Sequence, residues 1–210
     1  MSAARKAYLT VVPAQEDPWS ERELVSGLLA RDPRAAVLTW RRFAPRIYSV
    51  VSRAMGPGVD AEDVTQDVFL RVFSRVHTLK DPDAFGAFVL SVALRVVKWQ
   101  LRRRRVRRIM HLTEDGRMPV TQTPGLDAEG RQALERFYAI LDTLPVQERT
   151  VFALRHVEGM DLQEIAGAVG KSLATIKRQL QRASAQVEAR IAADGSLAAY
   201  SRRTKTDADR

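Results

Sequence analysis

The stretch that decides the fold, Leu162–Arg182, reads LQEIAGAVGKSLATIKRQLQR. Two runs of helix-forming residues meet at Gly170, with Ala166 four residues before it and Ile176 six residues after it. The small alanine permits a close helix crossing, the glycine permits a left-handed turn, and the isoleucine fills the space between the helices. This spacing predicts a helix-turn-helix whose second helix is capped by Ser172.

The second helix of this pair has two different faces. At about 100° per residue, Leu173, Leu180 and Val187 fall on the side of Ile176 and should be buried. The opposite side offers long hydrogen-bond donors and small residues, which suit insertion into the major groove of DNA. We expect DNA contacts from Lys171, Ser172, Thr175, Lys177, Arg178, Gln181 and Arg182. A plain helical hairpin with a solvated basic face is the weaker alternative.

Helical periodicity also fills most of the remaining sequence, and no alternating strand pattern stands out. Ser20 with Glu23 forms a capping-box pattern, and Asp32 followed by Pro33 is typical of a second helix start. Residues 20–108 are predicted to form a first helical domain of four helices, and 127–193 a second that contains the helix-turn-helix. Between them, 109–126 should be a flexible polar linker, and residues 1–17 and 195–210 should be loose tails.

The predicted helices of the first domain each carry an apolar stripe. In the second helix the expected buried residues are Val37, Trp40, Ala44, Ile47, Val51 and Ala54. In the third helix they are Val64, Val68, Val72 and Val76, widened by Phe69.

Positive charge is concentrated in one segment. The chain has 34 basic and 25 acidic residues, a net charge of +9, and no acidic residue lies between Ala84 and Thr113. Without the eight basic residues of that segment the two signs almost balance, at 26 and 25. A solvated charge run is the simpler interpretation, but such runs usually mix signs. A concentrated basic segment indicates a polyanionic partner, with nucleic acid the leading candidate.

The basic segment also contains an aromatic residue. Trp99 lies among Arg95, Lys98, Arg102 and Arg103, a pattern that suits single-stranded nucleic acid, whose bases stack on aromatic rings beside cations. Trp99 could equally be an ordinary core residue, and for Phe88 a core position is favoured. The loop before this helix, His77–Asp81, supplies two further candidate DNA contacts, His77 and Lys80.

The third predicted helix begins with acidic and amide residues. Acids at a helix start stabilise its dipole, which explains part of the pattern. Leu70, however, lies among them and away from the valine stripe, so it should be exposed. An exposed leucine framed by carboxylates indicates a docking patch for a basic protein surface. The predicted patch consists of Asp63, Gln66, Asp67 and Leu70.

The sequence argues against an enzyme, a cofactor or a metal site. His77, His111 and His156 are scattered without partners at informative spacing, and cysteine is absent from the sequence. No phosphate-binding glycine loop is present. No apolar run reaches the ~18–20 residues of a membrane helix, and no secretory signal is evident. A cytoplasmic protein without membrane insertion is therefore expected.

These segments, in this order, resemble extracytoplasmic-function sigma factors of bacterial RNA polymerase. Asp60–Phe73 (DAEDVTQDVFLRVF) is similar to the region that grips the polymerase clamp, and Phe85–Arg105 to the helix that handles the minus-ten promoter element. The region that reads the minus-thirty-five element is similar to Leu144-Pro145, Arg149–Leu154, Glu158-Gly159 and the stretch from Glu164 to Arg178.

The resemblance implies a dissociable initiation factor that binds core RNA polymerase, recognises promoter DNA and helps to melt it. It places a flipped promoter base at His77–Asp81 and the polymerase's RNA exit path along residues 109–126. It also allows an anti-sigma factor as a further partner. The family usually has Arg-Asn and then Asp in the middle of the fourth helix, where this chain has Leu94-Arg95 and Trp99. We therefore expect an unusual minus-ten preference.

The fold expected from these arguments is all-α, with two helical domains joined by a flexible linker and a helix-turn-helix in the second. The alternative function is a free-standing helix-turn-helix transcription regulator with a helical sensing or dimerisation domain. The acidic docking helix and the arginine-rich helix favour the initiation factor.

Overall fold

The computed structural model describes residues 19–109 and 127–200, and both ranges are helical. In the first range the helices are α1 (Glu21–Leu29), α2 (Pro33–Met55), α3 (Ala61–Arg75) and α4 (Phe85–Ile109). In the second they are α5 (Ala128–Thr143), α6 (Val146–Phe152), α7 (Leu162–Val169) and α8 (Leu173–Ala193). Short 3₁₀ turns cover Val76–Thr78 and Pro82–Ala84, and a π-helical turn covers Ala153–Val157. The all-α prediction is confirmed.

The helix starts follow local sequence signals. The Ser20 side chain accepts a hydrogen bond from the Glu23 amide at 3.2 Å, and the Glu23 carboxylate accepts one from the Ser20 amide at 2.6 Å. The Asp32 side chain caps α2, whose first residue is Pro33. These caps satisfy amides that have no partner inside a helix, so the predicted helix starts are confirmed.

The first half of the chain packs α1 to α4 around an apolar core. The four valines predicted for α3 and the 3₁₀ turn after it are buried, as is Phe69. The Trp40 ring contacts the Phe69 ring at 4.7 Å between centroids. One prediction for α2 is wrong, because the Val37 side chain is 49% exposed. Ala35 and Thr39 face the core instead, so the predicted apolar stripe is wrong at its first residue.

Helix α4 lies in the middle of the molecule. Buried residues recur along it from Phe85 through Val97 to Leu101. Contrary to the sequence-based expectation, the segment Pro82–Arg107 is long and apolar enough by composition to cross a membrane. Half of that apolar stretch is buried inside the protein, which is typical of a central core helix.

The second half has a smaller core of its own. Leu141, Leu144, Ala183 and Val187 lie within it. The expectation of a loose tail from residue 195 is wrong for its first part, because residues 195–200 are helical. The Asp194 carboxylate accepts hydrogen bonds from the amides of Ser196 and Leu197, and the Leu197 side chain is buried against the second core.

The two halves also share one continuous core. Buried residues of the second half join the core of α1 to α4, and they are Val151, Ala153, Leu154, Met160, Ile165 and Ile176. Helix α7 packs on α4, and the π-helical turn packs on α2. The predicted linker lies outside the described residues, except for Ile109 at the end of α4. The sequence did not indicate this close packing between the halves.

Candidate nucleic-acid and polymerase interfaces

The turn between α7 and α8 has the geometry that the sequence predicts. Gly170 is left-handed, with φ 69° and ψ 42°, and its amide donates to the Ala166 carbonyl at 2.9 Å. The Ser172 hydroxyl then accepts a hydrogen bond from the Thr175 amide at 3.3 Å and caps α8. Ile176 is fully buried. The turn is therefore fixed from both sides, and α8 is held at a defined angle.

The outer face of α8 is open to solvent. Among the described residues, the Arg178 side chain makes no salt bridge or hydrogen bond. Arg182 lies 3.9 Å from the Glu148 carboxylate while its side chain stays mostly exposed. Of the predicted DNA contacts, Thr175 is partly buried and the others are exposed: Lys171, Ser172, Lys177, Arg178, Gln181 and Arg182. These donors therefore lie in the first half of α8 and in the turn before it.

Helix α4 carries the second basic surface, and Trp99 lies on it. The Trp99 side chain is 48% exposed, so it is not a core residue. The guanidinium groups of Arg103 and Arg71 lie 5.4 and 5.8 Å from its ring centroid. Cations at this distance are attracted to the ring. Phe88, in contrast, is partly buried and stacks on Phe85. The structure thus places Trp99, which the sequence left open, at the surface, and it agrees with the core position favoured for Phe88.

The remaining predicted contacts on and near α4 differ in exposure. Arg95, Arg102 and Arg103 are exposed, as are His77 and Lys80 in the segment before α4. Lys98 is only partly exposed. Burial lowers the pKa of the Lys98 ammonium, and repulsion from neighbouring cations lowers it further. In decreasing order of effect, these neighbours are Arg102, Lys171 and Arg95.

Among the cations near Lys98, Lys171 comes from a different part of the chain. It lies in the turn before α8, whereas Lys98 lies on α4. The packing of α7 on α4 therefore brings the two basic surfaces of the chain close to each other. The sequence places these surfaces in separate domains and gives no indication of this proximity.

The predicted docking patch forms the outer face of α3. The Asp60 carboxylate accepts a hydrogen bond from the Asp63 amide at 3.0 Å and caps the helix. Asp63 and Gln66 are exposed, and the Leu70 side chain is 67% exposed. The Asp67 carboxylate lies 3.5 Å from the Arg71 guanidinium. Helix capping explains Asp60, but it gives no reason for an exposed leucine beside these polar groups.

From the sequence, Arg149 has no predicted role beyond its place in the family motif. Its side chain is only 3% exposed, and it pairs with the Asp142 carboxylate. A small cavity of about 20 Å³, roughly the room for one water, lies beside it and is also lined by Arg104 and Arg105. The signal that could have marked it is a charged residue two positions before the apolar run Val151–Leu154.

The two histidines that the structure describes show no catalytic grouping. His77 and His156 are exposed, and the His156 ring contacts the Phe152 ring at 4.6 Å. His111 lies outside the described residues. Within residues 19–109 and 127–200, no group of three or more histidine or acidic side chains could hold a metal ion.

Comparison with known proteins gives two family matches. The sigma-70 region 2 family matches residues 39–107, and the sigma-70 region 4 family matches residues 134–187. The first match spans most of α2 through α4, and the second runs from α5 into α8. Each match thus contains one of the two basic surfaces.

Individual relatives cover most of the chain. The ECF RNA polymerase sigma factor SigE of Mycolicibacterium smegmatis is 29% identical over 179 residues, 82% of this chain and 69% of the relative. The RNA polymerase sigma-E factor of Streptomyces coelicolor is 30% identical over 138 residues, 64% of this chain and 73% of the relative. A solved structure of CnrH in complex with the cytosolic domain of CnrY has a similar fold. Its TM-score is 0.57 at 22% identity, over 83% of this chain and 99% of that one.

Proposed function

This chain belongs to the extracytoplasmic-function sigma factors of RNA polymerase, and from that membership we propose how its surfaces divide the work of transcription initiation. As a member, it binds core RNA polymerase, recognises promoter DNA and assists its melting. The observation that carries the proposal is that one chain presents an acidic patch on α3 and two basic surfaces on α4 and α8.

The outer face of α3 is proposed to bind core polymerase. Asp63, Gln66, Asp67 and Leu70 combine an exposed apolar side chain with acidic groups. Burying the leucine against a partner would remove apolar surface from water, while the carboxylates would orient a basic partner surface. The patch adjoins the basic surface of α4, because Arg71 pairs with Asp67 and also lies 5.8 Å from the Trp99 ring centroid.

Helix α4 is proposed to handle the minus-ten element. Trp99 offers an exposed ring face on which an unpaired base can stack, and cations lie beside it. The proposed contacts are His77, Lys80, Arg95, Lys98, Trp99, Arg102 and Arg103. A tryptophan where the family usually has an aspartate favours stacking over hydrogen bonding at that place.

Helix α8 is proposed to read the minus-thirty-five element. Its exposed face begins at the capped N-terminus, where arginine and lysine side chains can reach base edges and phosphates. Arg178 is the proposed base-reading residue, because an arginine can donate two hydrogen bonds to guanine. Lys171 and Arg182 lie at the ends of the face and are proposed to hold phosphates.

Membership of the family also bears on catalysis, location and further partners. Sigma factors are non-catalytic initiation factors, and we propose that this chain acts without catalysis, cofactor or metal in the cytoplasm, where polymerase works. The complex of CnrH with the cytosolic domain of CnrY supports an anti-sigma factor as a further partner. The alternative of a free-standing regulator is disfavoured, because matches to both sigma regions lie in one chain.

The proposal is tested by mixing the purified chain with core polymerase. Promoter-specific transcription should appear, and the double variant Asp63→Arg with Leu70→Ala should lose polymerase binding in a native gel shift while keeping its helical circular dichroism. The matched control is Glu135→Arg with Leu29→Ala, which alters one exposed acid and one exposed leucine elsewhere. Retained binding by the α3 variant would leave helix stabilisation as the sole role of these acids.

A further inference from the structure

The orientation of the Trp99 ring on α4 is fixed neither by full burial nor by a hydrogen bond. The side chain is 48% exposed, and its indole N–H makes no hydrogen bond within the part of the chain that the structure describes. A platform for base stacking has to present its face in one direction, which requires neighbouring groups that lock its rotamer. The groups beside the ring must therefore hold it.

The two arginines beside the ring come from different helices. Arg103 follows Trp99 by four residues on α4, a spacing that places two side chains on one helix face, and its guanidinium lies 5.4 Å from the ring centroid. Arg71 comes from α3, and its guanidinium lies 5.8 Å from the same centroid. The Arg103 contact is therefore local, whereas the Arg71 contact depends on the packing of α3 against α4.

This packing fixes the backbone of Arg71. Val68 and Val72, which lie three residues before it and one residue after it, are fully buried. Both valines belong to the core that α3 shares with α4. Because a close-packed core resists displacement, α3 cannot turn or slide without disrupting these contacts. Arg71 is thus presented to the Trp99 ring from a fixed point.

One turn earlier on α3, Asp67 restrains the Arg71 side chain. Its carboxylate lies 3.5 Å from the guanidinium. Both side chains are partly exposed, so the pair adds little to stability, and its main consequence is the orientation of the guanidinium. A planar guanidinium can donate hydrogen bonds in its plane and stack its face on an aromatic ring. Arg71 can therefore contact Asp67 and Trp99 at the same time, which the compact ammonium of a lysine does less well.

We propose that Arg71 is a positioning residue for minus-ten recognition, which holds the Trp99 ring as a platform for an unpaired base. The proposal rests on the assignment of α4 to the minus-ten element. Asp67 orients Arg71, and Arg71 together with Arg103 confines the ring. A base that stacks on a ring already confined loses less conformational freedom in the complex. Asp67, assigned above to polymerase docking, thereby also acts on the base platform.

The first test follows the ring in the free protein. The chain has three tryptophans, Trp19, Trp40 and Trp99, so protein labelled with 5-fluorotryptophan gives three fluorine resonances, and Trp99→Phe identifies one of them. Arg71→Gln should shift the Trp99 resonance towards its position in the unfolded chain, while the other two resonances stay in place. Arg71→Lys and Asp67→Asn should shift it less, in the same direction.

The matched control in the free protein is Arg75→Gln. It removes an exposed arginine one turn further along α3, and the ring contacts of Trp99 do not include it. All three fluorine resonances should keep their positions in this variant. An unmoved Trp99 resonance in Arg71→Gln, with helicity retained, would overturn the proposal, and so would an equal shift in Arg75→Gln.

The second test measures the effect on DNA binding. Core polymerase that carries the full chain is titrated with a promoter fragment whose minus-ten segment is kept unpaired by mismatches. Trp99→Ala should weaken binding about fivefold or more, through the lost stacking. Arg71→Gln should weaken it about two- to fivefold, the range of one cation–π contact, and Arg71→Lys should recover part of this loss. The double variant should bind no more weakly than Trp99→Ala alone, because Arg71 acts through the ring.

Additive losses in the double variant would make Arg71 an independent phosphate contact and would overturn the positioning role. Any loss caused by Arg75→Gln, in contrast, should add to that of Trp99→Ala. If the unaltered chain fails to direct polymerase to the fragment, the proposed function fails. The fluorine resonance of Trp99 in the free chain still decides whether Arg71 positions the ring.

Discussion

The basic faces of α8 and α4 both present arginine and lysine side chains, but the two faces are built differently. On α8, Arg178 projects into solvent and pairs with no other described side chain. On α4, Arg104 and Arg105 lie 3.4 Å from backbone carbonyls of Met55 and Leu144. Lys98 is partly desolvated near other cations.

The outer face of α8 is therefore ready to bind DNA, whereas the basic end of α4 is partly engaged in contacts within the chain. The outer face of α8 needs no rearrangement, because the turn and the buried Ile176 already fix the helix. The basic end of α4 must give up internal contacts before all its cations can meet phosphates. The four predictions below test this contrast, from the largest expected effect to the smallest.

Substitution under α8 should have the largest effect. Ile176→Asp buries a charge without a partner and should lower the free energy of unfolding by about 4 kcal/mol or more. Denaturant unfolding followed by circular dichroism measures it. Ala174→Asp is the control, since Ala174 is exposed two residues earlier on the same helix. Equal losses in the two variants would mean that α8 is not held by its buried side.

Substitution on the face of α8 should affect binding alone. Arg178→Ala should cost about 1–3 kcal/mol of DNA affinity, concentrated at one base position of the upstream element, with stability unchanged. The full chain is titrated with single-base variants, because its halves share a core. Arg190→Ala, further along α8, is the control. A uniform loss would make Arg178 a phosphate anchor, and no loss would contradict a recognition role for this helix.

On α4 the arginines should divide into two pairs. Arg102→Ala with Arg103→Ala should flatten the salt dependence of promoter binding by a log–log slope of up to roughly one unit per lost phosphate contact. Arg104→Ala with Arg105→Ala should flatten it less, because these side chains also serve internal carbonyls. Equal slopes for the two pairs would show that the internal contacts do not withhold these arginines from DNA.

Substitution of Lys98 should have the smallest effect: it should slightly raise stability and should weaken promoter binding. Its lowered pKa means that the charged form is disfavoured in the folded protein. Lys98→Met should therefore raise the free energy of unfolding slightly, by less than about 1 kcal/mol because the group is partly solvated. It should also weaken promoter binding. Lys80→Met, at an exposed site, is the control and should not gain stability.

Much of the local structure and of the candidate site was predictable from the sequence. The caps at Ser20, Asp32 and Ser172 and the left-handed Gly170 depend on residues within a few positions of each other. The exposure of Leu70 followed from its angle on α3. Such features are set by backbone geometry that one segment carries by itself.

Other features could not be predicted because they depend on segments that are distant in sequence. Trp99 fits a core or a surface by its spacing, and only the position of α3 beside it shows a half-exposed ring. Leu197 looks like part of a tail until the second core provides a surface for it.

By itself, the sequence determined the helices, their caps, the turn at Gly170 and the family to which the chain belongs. These depend on side-chain spacing along one helix or one turn. Only the tertiary structure decided that Arg149 caps α2 and that Tyr138 occupies the space left by Gly56. A buried arginine is stabilised by carbonyls far away in the chain, and no local pattern specifies which carbonyls those are.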